Sequence, residues 1–210
     1  EYEFINHMKG TLFNAFLVTI YKRHYHWHND LELLLVIEGS VIVNTADKEY
    51  LLKKDDLFLL NCNEVHSLAK TKENNTLIAL QFDSKLSKTY YPMLQRIRFL
   101  EKKIDKSKFP DCYNALRNYL LDFVMDYYKK ERGYEFKLMS ILNMMIYYLI
   151  RWVPYKETEE SKLRAEKKNL ERLSRIIDYM EENYSQKISL KDLAAREKLD
   201  MYYLSHFIKK

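Results

Sequence analysis

The chain is poor in the residues that make tight turns and covalent staples. Its 210 residues include three Gly, three Pro and two Cys. So few glycines exclude a fold built on many left-handed turns, and any all-β part must be small. Cys62 and Cys112 are too few for a disulfide framework and point to a reducing compartment. No stretch reaches the roughly 18 uninterrupted apolar residues of a membrane helix. The nearest, Met139 to Val153, is broken by Ser140, Asn143 and Arg151. No basic region followed by an apolar run opens the chain, so no export signal is visible and a cytoplasmic location is the expectation.

What is present is a globular composition, 47% hydrophobic and 31% charged, which excludes disordered and collagen-like chains. The net charge of +5 is mildly basic, and its distribution says more. Two basic stretches, Lys162 to Arg175 and Ser185 to Lys210, flank Asp178, Glu181 and Glu182. Such stretches suit solvated helix faces or a polyanion.

Three textures follow one another. From Thr11 to Phe82, short runs rich in β-branched and aromatic residues alternate with polar clusters, predicting a compact unit of about eight strands. Val41-Ile42-Val43 after Glu38-Gly39-Ser40 reads as a hairpin, with Gly39 at the positive φ of its turn. From about Ser87 to Val153 the period becomes helical. Leu116, Leu120, Phe123, Val124 and Tyr127 line one face of a helix beginning after Pro110 and ended by Gly133. A second helix, Phe136 to Trp152, is apolar nearly all round and must be covered on more than one side. Tyr155 to Asn169 reads as a charged linker able to extend the next helix. Leu173, Ile176, Ile177, Met180 and Tyr184 then predict an amphipathic helix. Ser189 and Asp192 cap a short helix, Leu190 to Glu197, and Asp200 caps a last one carrying Tyr203, Leu204, Phe207 and Ile208. Three helices with so short a final turn fit a helix-turn-helix unit.

Four of the six histidines are His24, His26, His28 and His66. On an extended strand the first three share a face and can all point inward. Glu32 follows, and Gln81 can join these groups in hydrogen-bonding a small polar molecule.

The string His26-Trp27-His28, Glu32 and Gly39 resembles the first cupin motif, and Leu57 to His66 resembles the second. In metal-dependent cupins these positions, His26, His28, Glu32 and His66, would hold a divalent ion in an oxygenase or isomerase. A polar ligand pocket without metal, formed by His24, His26, His28, Glu32, His66 and Gln81, is the preferred reading, with no cofactor. The second motif's usual Pro and Gly are replaced by Asn61, Cys62 and Asn63, and Asp55-Asp56 stands in place of Gly-Asp.

A cupin barrel, two helices and a helix-turn-helix together resemble the AraC family of transcription regulators. The most specific segment is Ile188-Ser189-Leu190-Lys191-Asp192-Leu193-Ala194 with Asp200 to Lys209. The resemblance implies an α+β chain. A double-stranded β-helix sensor domain (1–86) precedes a helical dimerisation region (87–155), a linker (156–169) and a first helix-turn-helix (170–210). It implies a non-enzymatic regulator, an activator or a repressor, that senses a small molecule, a sugar being common. Helix 200–210 would lie in the major groove of promoter DNA, with Tyr202, Ser205 and His206 on bases and Lys209 and Lys210 on phosphates. A homodimer contact would include Ile141, Leu142, Met145 and Leu149. The family carries two helix-turn-helix units, so the chain, which opens without Met, reads as a shortened form with weak DNA binding. The alternative is a metal-dependent cupin enzyme with an appended helical domain.

Overall fold

The computed structural model describes residues 2–8 and 10–208. It divides into two compact units, Glu3–Glu159 and a smaller one from Glu160 onward.

The first unit contains β1 (Phe13–Val18), β2 (Lys22–His26), β3 (Asp30–Thr45), β4 (Glu49–Lys53), β5 (Leu57–Leu60) and β6 (His66–Asp83). β3 and β6 are long and pair antiparallel from Asp30↔Asp83 to Thr45↔His66. β1 and β5 flank one half of this pair, and β2 and β4 flank the other. The halves bend over a shared interior in which Leu34, Val36, Phe58, Leu60, Leu77 and Ala79 from one meet Val41, Val43, Leu52 and Leu68 from the other. This is a cupin-like antiparallel sandwich, in which β3 serves as two of the expected short strands.

The bend corrects two expectations. Gly39 has the anticipated positive φ of 67°, yet it sits in a bulge inside β3 and not in a hairpin turn, between register shifts at Val36/Glu38 and Gly39/Val41. A Cβ there would lie 1.7 Å from the carbonyl oxygen of Asn74, so the two long strands can cross only over a glycine. The polar Glu73-Asn74-Asn75 is likewise part of β6 and not a strand break. Asn75 is buried because its amide both donates to Ile20 O (2.9 Å) and accepts from Ile20 N (2.8 Å), tying down the β1–β2 connection.

On the outer face, Leu31, Leu33, Leu35, Leu57 and Leu80 pack against two helices, α1 (Pro110–Lys129) and α2 (Tyr134–Trp152). Proline at the first turn suits the start of α1. Gly133 does not end α1: Lys130, in left-handed conformation, does so, and Gly133 is the N-cap of α2. One core runs from the strands through both helices, across the border expected at residue 86. Ile141, Leu142, Met145 and Leu149, expected between copies, are buried within it. That face of α2 is covered by the chain's own sheet and α1, so these four residues are corrected from interface to core. The opposite face, with Phe136, Met144 and Tyr147, is exposed. A small ribbon that sequence periodicity did not reveal, β7 (Ile97–Phe99) with β8 (Tyr155–Glu157), brackets the helices in sequence.

The second unit is three helices, α3 (Glu160–Glu182), α4 (Leu190–Arg196) and α5 (Met201–Ile208). Residues 160–169, expected as linker, are the first half of α3. Ile176, Leu193, Ala194 and Leu204 form a small core, flanked by Tyr179, Ile188, Leu199 and Phe207. The Ser189 hydroxyl accepts from Asp192 N–H while the Asp192 carboxylate accepts from Ser189 N–H, a reciprocal cap on α4. Asp200 accepts from Tyr203 N–H at 2.7 Å and caps α5. Among the described residues no helix is long and apolar enough to cross a membrane.

Candidate ligand-binding site

The end of β2, the start of β3 and the start of β6 bring His26, His28, Glu32 and His66 together, all buried. His26 is the cross-strand partner of His66, and their rings lie 4.1 Å apart, centroid to centroid. The His28 ring is 5.2 Å from that of His66.

Backbone carbonyls orient all three imidazoles. Nδ1 of His26 donates to His24 O (2.8 Å), Nδ1 of His28 to Asp30 O (3.1 Å) and Nδ1 of His66 to Glu64 O (2.8 Å). A carbonyl only accepts, so each Nδ1 carries its proton and each Nε2 is turned toward the others. Ligand atoms of the three histidines fall within 4.8 Å of one another.

Glu32 sits among them, its Oε2 2.9 Å from His28 Nε2 and 3.6 Å from His66 Nε2. Burial would raise the Glu32 carboxyl, but the His28 hydrogen bond and the nearby His66 outweigh it and hold it well below the usual carboxylate range. Burial would likewise lower His28, and the Glu32 carboxylate raises it above its ordinary value instead. For His26 burial prevails: helped by the charge of His66, it takes the ring down to about 3. His66 Nε2 is buried and, at 3.6 Å from Glu32, has no hydrogen-bond partner among the described residues. Gln81, also buried, is the cross-strand partner of Glu32 and shares its interior face.

His24 does not join them. Between Arg23↔Leu68 and His26↔His66, β2 advances three residues while β6 advances two. The extra residue reverses the alternation, leaving the His24 side chain exposed and only its carbonyl in use. The same bulge places Arg23 on the face of His26, which an unbroken period of two does not reveal. Glu3 is the other group missed by sequence reasoning. Its N–H donates to Trp27 O (2.9 Å), and its carboxylate pairs with Arg23 and lies 3.2 Å from His26 Nε2. Burial raises the Glu3 carboxyl, against the pull of Arg23 and with the help of Glu32. Nearby, His7 Nε2 is 2.5 Å from Asp30 Oδ2. No local pattern could have marked Glu3 or His7, since both act on residues about twenty positions away.

Three imidazole nitrogens and one carboxylate are a donor set for a divalent transition ion, and the carbonyls on Nδ1 are the outer partners that such ligands usually have. The partnerless His66 Nε2 fits that use as well. Surface clefts lie elsewhere: one is lined by Asp55, Asp56, Lys103, Tyr113 and Arg117, another by Ser40, Lys53, Thr71 and Glu73. Both cysteines are buried, and burial pushes Cys62 up to about 11 and Cys112 to about 12, so neither offers a thiolate at neutral pH.

On α5, Tyr202 and His206 are exposed with their rings 4.4 Å apart, and Ser205 is half-buried. Lys209 and Lys210 lie outside the described residues.

Residues 19–90 match the family model of the AraC-like ligand binding domain. No curated protein sequence matches the chain. Solved structures similar to it include the oxalate decarboxylase of Bacillus subtilis, at 20% identity over 35% of this chain with TM-score 0.33. A cupin-like protein from Thermotoga maritima is similar at 23% identity, also over 35% of this chain, with TM-score 0.33. The matched part spans 22% of the decarboxylase chain and 59% of the cupin-like one.

Proposed function

We propose that the chain is a ligand-responsive transcription regulator. A small polar molecule binds beside His26, His28, Glu32, His66 and Gln81, and the second unit reads promoter DNA as a helix-turn-helix. The observation that carries this reading is the match of residues 19–90 to the AraC-like ligand binding family model, since that segment contains all five residues. In support, α4 and α5 are each capped and are joined by a short turn. Tyr202 and His206 are exposed on α5, where side chains can reach base edges, with Ser205 between them and Lys209 and Lys210 suited to phosphates. Pairing of two copies would bring two such helices to two half-sites. The ligand acts by its differential affinity for DNA-competent and incompetent arrangements, without chemistry on it.

A second reading, a metal-dependent cupin enzyme, is favoured by the convergence of three Nε2 atoms and the lone His66 Nε2. His26, His28, Glu32 and His66 would hold the ion, which would supply Lewis acidity.

Selection of random duplex DNA by the whole chain at low salt tests the first reading. It expects enrichment of a defined sequence, lost in Tyr202→Ala/His206→Ala. Recovery of DNA without sequence preference, unchanged in that variant, rejects it.

A further inference from the structure

The histidine centre receives one carboxylate from outside its own strands. Glu3 belongs to the segment before β1, anchored by its N–H on Trp27 O (2.9 Å). Its carboxylate lies between the Arg23 guanidinium and His26 Nε2 (3.2 Å), with the side chain 23% exposed. Four residues on, His7 meets Asp30 at 2.5 Å, so the segment is pinned at two points beside the site. The division of labour is uneven. Glu32 accepts from His28 Nε2, whereas His26 Nε2 only lies 3.2 Å from the Glu3 carboxylate, and His66 Nε2 has no hydrogen-bond partner among the described residues. Arg23 faces the site only because of the bulge in β2, so a charged guanidinium stands beside the histidine centre, where a single external carboxylate can pair with it.

We infer that Arg23, beside His26, is the seat for the carboxylate of a small organic acid, and that Glu3 fills this seat as an internal stand-in when no ligand is bound. An incoming carboxylate replaces that of Glu3 one for one, so no charge is added to a site that already holds Glu32. A hydroxyl near the ligand's carboxylate would donate to His66 Nε2, which makes a small hydroxy acid the favoured class. Because Glu3 is tethered, it competes at a high effective concentration, and a free acid binds wild-type protein more weakly than it binds a chain without that carboxylate. The inference rests on the reading of the barrel as a ligand site, and not on DNA binding.

Propionate, which reproduces the Glu3 side chain beyond its Cα, is the probe. It is titrated into chelator-treated whole chain while the His26 ring resonances are followed by NMR, with lactate and neutral propionamide in parallel. In Glu3→Ala, propionate should bind about tenfold more tightly than in wild type. Lactate should bind more tightly than propionate, propionamide should leave the ring unmoved, and Arg23→Ala in the Glu3→Ala background should abolish binding. Glu3→Gln, which keeps the side chain's size, should fall between wild type and Glu3→Ala, and is read alone if the alanine variant does not fold. Equal propionate affinity in wild type and variant, or binding of propionamide as strong as that of propionate, overturns the seat. If propionate binds as expected while DNA selection fails, the regulator is rejected and the seat stands. The converse result leaves the regulator with a ligand of another class.

Discussion

Nε2 of His28 donates to Oε2 of Glu32 at 2.9 Å while Nδ1 of the same ring donates to a carbonyl, so the pair is an imidazolium and a carboxylate buried side by side. Breaking such a pair leaves an uncompensated buried charge. Glu32→Gln should cost about 3 kcal/mol or more in denaturant unfolding. A loss below about 1 kcal/mol would mean that water reaches the pair.

His26 behaves oppositely, and acid stability shows it. Its value falls from 6.5 to about 3 on folding, so between those pH values the unfolded chain binds a proton that the folded one lacks. Stability therefore rises with pH across that window, by a few kcal/mol. Glu32, held low, adds stability that is present above its ordinary value and lost as pH falls. His28, held high, adds stability that is present below 6.5 and lost as pH rises through its folded value. Unfolding measured from pH 3 to 8 on chelator-treated protein should thus have a maximum near neutrality. His26→Gln should flatten the acid limb, and an unchanged limb would assign it to other groups.

The convergence of the three Nε2 atoms predicts that cobalt(II) added to chelator-treated protein gives a visible absorption band at one ion per chain. His66→Ala should weaken binding at least tenfold, about 1.4 kcal/mol. No band at millimolar cobalt would reject the metal reading and leave the polar pocket.

At the bend of β3, Gly39→Ala forces a Cβ to 1.7 Å from Asn74 O at a φ of 67°. Gly10 has a similar φ of 82° but open space around it. Gly10→Ala should therefore cost about 1 kcal/mol for the backbone alone, and Gly39→Ala several times more or the fold itself. Equal losses would show that the bulge relaxes.

Leu142 is fully buried and Phe136 is 85% exposed on the other face of α2. Leu142→Ala should cost about 2–5 kcal/mol and Phe136→Ala under about 0.5 kcal/mol. Ile141→Glu should unfold the chain and not merely separate copies, which size-exclusion chromatography with circular dichroism distinguishes.

Much of the site was legible in the sequence. His26, His28, Glu32 and His66 stand at the positions that resemble the cupin motifs, and the structure brings all four together, with Gln81 opposite Glu32. His24 shares their face only on an unbroken strand, and one extra residue in β2 turns its side chain outward. Glu3 and Arg23 were invisible for related reasons: the first depends on a contact across twenty residues, the second on the same bulge.

The sequence by itself determined what depends on near neighbours along the chain. Period-two and helical patterns, the Ser189–Asp192 cap and the positive φ expected at Gly39 all arise from interactions within a few residues. Only the tertiary structure decided that Gly39 makes a bulge, which face of α2 is core, and that Glu3 meets His26. Each of these follows from strand register and from packing between distant segments, where a one-residue slip moves every later side chain to the opposite face.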